Sequence, residues 1–595
     1  MSAGPDTHPP KLSPLRLDRE QEARREMSLG RVSRPTKRFL ILGFLLTILV
    51  MPIVQTAREY RHAGGRLSGL RIADLPRTLA EAWKRFASSA ASSSSCSPGQ
   101  AGAHGFVRAI GEADGIIKGG FRDFEKALEK ESFLAAATLP RWQSLASGLL
   151  GVGNEKVFQG SDGWLYYRPD LEYLAGPPFS LSITPHGVSG VAGPVPALVA
   201  FAKDLSARGI RLIVLPVPVK PMIEPEHLSP TAAERTGELG NPSFGAFAEA
   251  LRSHGVTVLD PTDLLRKEKA RTGRPQYLRG DTHWTPEAME SVAGALAGCV
   301  GELLPGPEVP VSPEDSSPSG RTLSATHAGD LVEMLDLPEE STLFPPQTVT
   351  LRPGPSADPG ERGRSPVLLL GDSFTRIYSA EDLRWGSGAG LAERLSARLG
   401  HPVDVIAVNA GGSTLVRREL ARSPERLAGK SVVICEFSMR ELSSGDWSVV
   451  PLPPAALPTS SLAASDASAP SAPTGGIPAN PPAAEGDLTV SGTITSLSAA
   501  PDPGNSPYRD FLRCLHLTGV TGLPDGSRGN REILVFVQAL RERKPTRASE
   551  LHGGEKVTLH LVPWSRVEER LGPVNRSEFQ GPEADLPDLY WCGDY

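Results

Sequence analysis

A chain of 595 residues is longer than one hydrophobic core organises and implies about three to four domains. The 62 Lys+Arg against 68 Asp+Glu leave a formal charge of −6, which supplies no cationic surface for gripping a phosphate backbone and excludes nucleic-acid binding as the leading reading. Hydrophobic residues are 39% of the chain, and 61 Gly with 56 Pro make up about a fifth of it, so packed domains are diluted by loops or linkers.

In chain order, residues 1–38 are polar and Pro-containing and are expected to be a disordered cytoplasmic tail. Residues 39–57 (FLILGFLLTILVMPIVQTA) carry no charge over 19 positions, close to the ~20 needed to span a bilayer. Gln55 two positions before Ala57 makes a poor leader-cleavage site, so an uncleaved transmembrane anchor is expected. Seven Lys/Arg in 19–38 against five in 58–77 place the bulk of the chain outside the cytoplasm. The corresponding localisation is the inner membrane, single-pass, with the main domain in the periplasm.

Residues 58–105 read as a helical and low-complexity spacer, ending in SSAASSSSCSPGQAGAHG. From residue 106 to 450 short apolar runs alternate with helical patterns. PALVAFAKDLSARG (196–209) predicts a helix, RLIVLPV (211–217) a buried strand, and TPEAMESVAGALAGCVGELL (285–304) a helix capped by Thr285. PVLLLGDSF (366–374) is a strand breaking into a turn, GLAERLSARLG (390–400) a helix, and VDVIAVN (403–409) and KSVVICEFS (430–438) strands. Short, fully apolar strands between helices predict an α/β domain with a parallel sheet covered by helices on both faces. Residues 305–322 read as a Pro/Ser/Gly-rich surface loop.

Residues 451–486 hold nine prolines and almost no charge and form a Pro/Ala/Ser-rich linker. Beyond it DLTVSGTITSL, EILVFVQAL and KVTLHLVPW predict that 487–595 is a small all-β barrel or sandwich of unknown role. No two of Cys96, Cys299, Cys435, Cys514 and Cys592 have metal-ligand spacing. Cys299 and Cys435 lie in apolar runs and are expected to be buried thiols, and Cys514 and Cys592 are candidates for a disulfide in an extracytoplasmic segment.

Two short segments carry chemistry. In LLLGDSFT (368–375), Ser373 follows an apolar strand and precedes a helix, the carboxyl end of a parallel strand where ligands bind. It reads either as a nucleophile or as a helix-capping serine. In RGDTHWTPEA (279–288), Asp281 and His283 stand two apart before a helix start. That spacing lets a carboxylate orient an imidazole, and a serine hydroxyl needs such a base at neutral pH. The other readings are a capped helix with a surface histidine, or half of a metal site whose further ligand would have to come from His227, His327 or His401.

Together these segments resemble the alginate O-acetyltransferase AlgJ/AlgX-like family, which carries an SGNH hydrolase-like domain. DTHWTPEA (281–288) precedes LLGDSF (369–374), an order that is the reverse of ordinary SGNH enzymes. NEKVFQGSDGWLYY (154–167), LPVPVKPMIEPEHL (215–228) and CEFSMREL (435–442) extend the likeness over about 150–445. The resemblance implies Ser373 as nucleophile, His283 as general base and Asp281 as its orienter. Asn409, with amides near Gly411 and Gly412, is a candidate oxyanion donor or else a turn asparagine. Trp284, Trp164, Tyr166, Lys220 and Arg440 are candidate substrate contacts. Their alternative readings are a packed hairpin for the Trp164, Tyr166 and Tyr167 aromatics, an ordinary exposed lysine for Lys220, and a structural Glu436–Arg440 ion pair.

The resemblance further implies transfer of acetyl groups to hydroxyls of an exported polysaccharide through an acyl-serine. A multipass membrane O-acyltransferase would be the acetyl donor, and neither a resident cofactor nor a metal is expected. A carbohydrate esterase with the same three residues, and a non-catalytic polysaccharide-binding scaffold, are the rival readings.

Overall fold

The computed structural model describes residues 133–176, 179, 193–229, 239–304, 322–355, 359–379, 381–453, 488–498, 510–523, 531–542, 544–572, 574–579 and 588–593, with Ala57 and Arg61. The expected tail, anchor, spacer, 305–322 loop and 451–486 linker lie outside these apart from Ala57, Arg61, Thr322 and residues 451–453. Among the described residues no helix is long and apolar enough to cross a membrane. Pro140–Tyr595 form one compact unit.

The first domain is built on a five-stranded parallel sheet. A short hairpin of β1 (Val157–Gln159) and β2 (Leu165–Tyr167) precedes β3 (Arg211–Val217) and β4 (Thr257–Val258). A second hairpin, β5 (Leu323–His327) with β6 (Gln347–Leu351), comes before β7 (Val367–Gly371), β8 (Asp404–Ala407) and β9 (Val432–Ser438). The sheet order is β4-β3-β9-β7-β8, with every pairing parallel.

All residues of β7 and β9 are buried, as strands covered on both faces require, which is why their sequences run apolar without alternation. Helices end where their chemistry says. The Thr285 side chain accepts from the Ala288 N–H at the start of helix Pro286–Leu303, and left-handed Gly400 closes helix Leu391–Leu399. The chain reverses its direction of sheet growth between the β3–β4 side and the β7–β8 side, so the loops after β7 and β8 meet over the carboxyl edge of the sheet.

The C-terminal segment is a barrel. β10 (Leu488–Leu497), β11 (Phe511–Thr521), β12 (Ile533–Arg541), β13 (Lys544–Pro545), β14 (Lys556–Pro563), β15 (Asn575–Ser577) and β16 (Leu589–Cys592) pair so that β10, β11, β12, β16 and β14 close a ring. Its interior holds Val490, Leu515, Val535, Leu559 and Cys592. A second cluster outside it holds Leu512, Cys514, Phe536 and Trp591 under helix Trp564–Leu571. Cys514 and Cys592 therefore face opposite sides of the barrel wall, and both are thiols, not a disulfide. Cys435 is buried and Cys299 only partly so.

The barrel is docked on the first domain by buried charge. Arg422 Nη2 meets Glu578 Oε2 at 2.8 Å and Arg576 Nη2 meets Glu419 Oε1 at 2.5 Å. Arg418 donates to the Phe579 carbonyl at 3.2 Å.

Candidate active site

The turn after β7 is shaped by what lies beneath it. A Cβ on Gly371 would run into Thr375 Oγ1 and stand 2.8 Å from Glu436 Oε2, so no larger residue fits. Asp372 caps the next turn, its Oδ1 accepting from the Phe374 N–H at 2.8 Å, while Oδ2 accepts from the Ser438 N–H of β9. Ser373 is the first residue of the short helix Ser373–Arg376. The sequence readings of Ser373 as a cap and as a nucleophile thus separate: the cap is Asp372, and the Ser373 hydroxyl is left for other work.

Ninety positions away, a bridge between Tyr277 and Trp284 pins the base of the Asp281–His283 loop. His283 Nε2 lies 2.8 Å from Ser373 Oγ, and His283 Nδ1 lies 2.6 Å from Asp281 Oδ1. Asp281 is 1% exposed. Its Oδ1 also accepts from the His283 N–H, and Oδ2 accepts from Trp385 Nε1 and the Asp330 N–H, both at 2.9 Å. Burial alone would raise the Asp281 pKa, but the His283 imidazole and these donors outweigh it and hold the carboxyl well below the usual range. Burial would likewise depress His283, but the Asp281 charge outweighs it and holds His283 above 6.5. A chain of this kind can take a proton from a serine hydroxyl.

Asp330 stands beside this chain, its Oδ2 3.8 Å from His283 Nδ1. It binds the Thr282 N–H at 2.8 Å and the Thr282 hydroxyl at 2.6 Å. Burial and the Asp281 charge push its carboxyl up to about 7. Asp281, His283 and Asp330 each bring one ligand atom within 4.8 Å of the others. A cation there would have to displace the proton between Asp281 and His283. His327 instead pairs with Glu333, and His227 stacks on Trp164 at 4.5 Å.

Ser373, His283 and Asp281 open into a cavity of about 750 Å³ that Arg376, Asn409 and Arg440 also line. Asn409 follows β8, and its Oδ1 accepts from Arg376 Nη1 at 2.9 Å. The Gly411 N–H, expected as an oxyanion donor, is spent on the Val408 carbonyl at 2.9 Å. Arg440 pairs with buried Asp170 at 3.1 Å, not with Glu436, and its guanidinium lies over the Tyr167 ring. The cavity has a wall from the barrel too: Asp510, Arg541, Glu542, Arg570, Val574 and Asn575.

Four expected substrate contacts are core residues. Lys220 is 0% exposed, and its ammonium donates to the carbonyls of Leu165, Arg279 and Asp281 at 2.6, 2.8 and 3.0 Å. Burial pushes its pKa down to about 7. Trp164 and Tyr166 pack around that ammonium, and the Tyr166 hydroxyl donates to the Glu224 carbonyl. Trp284 is fully buried, edge-on to Phe374. These four hold the Asp281–His283 loop from behind and do not line the cavity. The sequence reading missed Asp330, Trp385, Asp170 and Arg376. Arg376 lies three residues after Ser373 and Asp170 three after the 154–167 segment, whereas Asp330 and Trp385 are far from any motif and had no signal.

Part of this chain is similar in sequence to known proteins. Residues 157–439 match the family described as "SGNH hydrolase-like domain, acetyltransferase AlgX". The "Probable alginate O-acetylase AlgJ" of Pseudomonas aeruginosa is 28% identical over 289 residues, covering 46% of this chain and 68% of that protein. The namesake from Azotobacter vinelandii is 28% identical over 288 residues, with the same coverage of 46% and 68%. The solved "O-Acetyltransferase Domain of Pseudomonas putida AlgJ" is 23% identical, with a TM-score of 0.34, over 48% of this chain and 91% of that one. Over residues 157–439 this chain is therefore similar to the AlgX-type SGNH hydrolase-like domain family.

Proposed function

We propose that the protein is a membrane-anchored, extracytoplasmic O-acetyltransferase that moves acetyl groups onto hydroxyls of an exported polysaccharide. The observation that carries this reading is His283, hydrogen-bonded to Asp281 on one nitrogen and to Ser373 on the other. The relatives named as alginate O-acetylases favour acetyl transfer within that chemistry.

Ser373 Oγ attacks the acetyl carbonyl while His283 Nε2 takes its proton. The tetrahedral intermediate collapses, the donor's leaving oxygen takes that proton, and acetyl-Ser373 remains. A sugar hydroxyl then attacks this ester, passing its proton to His283. Ser373 leaves as the alcohol, reprotonated by His283. Asp281 holds the imidazole in the required tautomer and stabilises the imidazolium. The polysaccharide lies in the cavity between the first domain and the barrel, and a multipass membrane O-acyltransferase is the acetyl donor. Residues 39–57 anchor the chain beside that donor, facing the periplasm.

The test incubates the full chain with p-nitrophenyl acetate and a panel of neutral and acidic oligosaccharides. The expected result is acetyl on the Ser373 peptide by mass spectrometry, absent in Ser373→Ala, and acetylated sugar from at least one panel member. Rapid ester hydrolysis with no acetylated sugar across the panel replaces transferase with esterase. No acetyl on Ser373 replaces both with a binding scaffold.

A further inference from the structure

Arg376 and Asn409 come from different elements and meet at the cavity. Arg376 is on the same helical turn as Ser373, and Asn409 is two residues past β8. Both are nearly buried, at 8% and 4% exposure. A guanidinium has donors only, so the Asn409 amide must turn its oxygen to Arg376, and the geometry is that bond, Nη1 to Oδ1 at 2.9 Å. This leaves Nδ2, the amide's two-proton donor, as the group that Asn409 presents to the cavity it shares with Ser373. Arg376 is itself braced, its Nη2 donating to both oxygens of Asp382 at 3.2 and 3.3 Å.

We propose that Arg376 is a positioning residue that locks the Asn409 amide in the orientation that donates Nδ2–H to the oxyanion formed on acetylation and deacetylation of Ser373. The proposal rests on the acyl-serine reading above. An amide free to flip presents its oxygen to the developing negative charge for part of the time, and a repulsive dipole replaces a stabilising one. Arg376 prevents this without touching the substrate. It also ties the loop after β8 to the turn that carries the nucleophile, so donor and nucleophile keep a fixed separation. Preorganisation of this kind acts only on the transition state, so its loss falls on kcat and not on KM.

The experiment measures p-nitrophenyl acetate turnover by the full chain carrying Asn409→Ala, Arg376→Met, both together, and Arg376→Lys. Loss of one oxyanion donor costs ~10²–10³-fold in rate, and Asn409→Ala is expected to fall there. Arg376→Met is expected to lose ~10-fold or more in kcat with KM within about twofold, a split that marks transition-state stabilisation. Arg376→Lys, which keeps a donor at Oδ1, recovers part of the loss. The double variant is no slower than Asn409→Ala alone, because Arg376 acts only through that amide.

Additive losses, or a rise in KM with kcat intact, overturn the proposal and make Arg376 a substrate contact. Should Arg376→Met fail to fold, Asn409→Ala alone against Asn409→Ala with Arg376→Lys reads the same coupling. Ser373→Ala run alongside separates the two readings. Full turnover by that variant overturns the acyl-serine reading and this inference together, whereas additivity with an inactive Ser373→Ala overturns this inference alone.

Discussion

Glu436, in the middle of β9, accepts a hydrogen bond from the Asp372 backbone N–H at 2.9 Å, so the residue before Ser373 is tied from beneath to the neighbouring strand. The same oxygen accepts from the Thr375 hydroxyl at 2.8 Å. One carboxyl group therefore holds both ends of the turn on which the Ser373 side chain sits, and Glu436 is 0% exposed. Glu436 and Arg440 of the CEFSMREL segment each have a structural use, but they serve different partners.

Burial and the adjacent Asp372 carboxylate push the Glu436 carboxyl well above 4.5. A raised carboxyl pKa favours the fold fully below the unfolded value and progressively less as pH rises above it. Glu436→Gln keeps the acceptor and cannot ionise, so its stability relative to the native chain is expected to grow as pH rises from about 5 to about 8. Glu436→Ala leaves two buried donors unpaired and a cavity, costing on the order of 3 kcal/mol. Denaturant unfolding at several pH values checks both. A Glu436→Gln variant that weakens with rising pH would contradict a protonated Glu436.

The pH dependence of turnover follows from His283. As the proposed base it must be neutral, and Asp281 holds its pKa above 6.5, so kcat/KM for ester turnover is expected to rise with pH through a midpoint above 6.5. Asp281→Asn removes the charge that sets this, and the midpoint falls toward or below 6.5. Ser373→Ala and His283→Ala each lose ~10³-fold or more, and combining them adds little because they act as a unit. Mild, additive losses would remove the three residues from the chemistry.

Lys220→Met tests whether that lysine supports the loop or the substrate. The substitution removes three hydrogen bonds to the Leu165, Arg279 and Asp281 carbonyls. Unsatisfied buried acceptors cost ~1–3 kcal/mol each, so a stability loss of several kcal/mol is expected, read by thermal unfolding. The KM of the folded fraction for an oligosaccharide acceptor should stay unchanged. A raised KM with native stability would return Lys220 to the substrate.

A protease site placed between residues 453 and 488 tests the docking of the barrel. Arg422, Arg576, Glu419 and Glu578 are paired across the interface, and breaking a buried pair costs ~3–5 kcal/mol. The two fragments are therefore expected to co-elute after cleavage, and Glu578→Ala to separate them. Burial would raise the Glu578 pKa, but Arg422 and Arg576 hold it down to about 2. A depressed carboxyl stabilises above its unfolded value near 4.5 and loses that contribution as pH falls toward 2, so acid in this window should part the fragments. Fragments that separate at about pH 7 would make the barrel an independent module.

Much of the sheet is legible in the sequence because its determinants are local. RLIVLPV becomes β3 at 211–217 residue for residue, since a short apolar run between two amphipathic helices has one stable place, a parallel strand covered on both faces. The Thr285 cap and the tight Gly371 turn are local in the same way. So is the Asp281–His283 spacing, which needs only a loop to aim both side chains into one cleft.

Exposure and pairing across long separations are decided by tertiary packing alone. Trp164, Tyr166, Trp284 and Lys220 carry the residue types of a sugar-binding surface, yet the Asp281–His283 loop folds over them and makes them its support. Trp385 binds an Asp281 oxygen 104 positions away. Cys514 and Cys592 share a segment but face opposite sides of one barrel wall. The orientation of the Asn409 amide is likewise invisible in VNAGGST, because it is set by a guanidinium that reaches it only once β7 and β8 lie side by side. Residue type fixes what a side chain can do, and the packing of distant segments fixes what it faces.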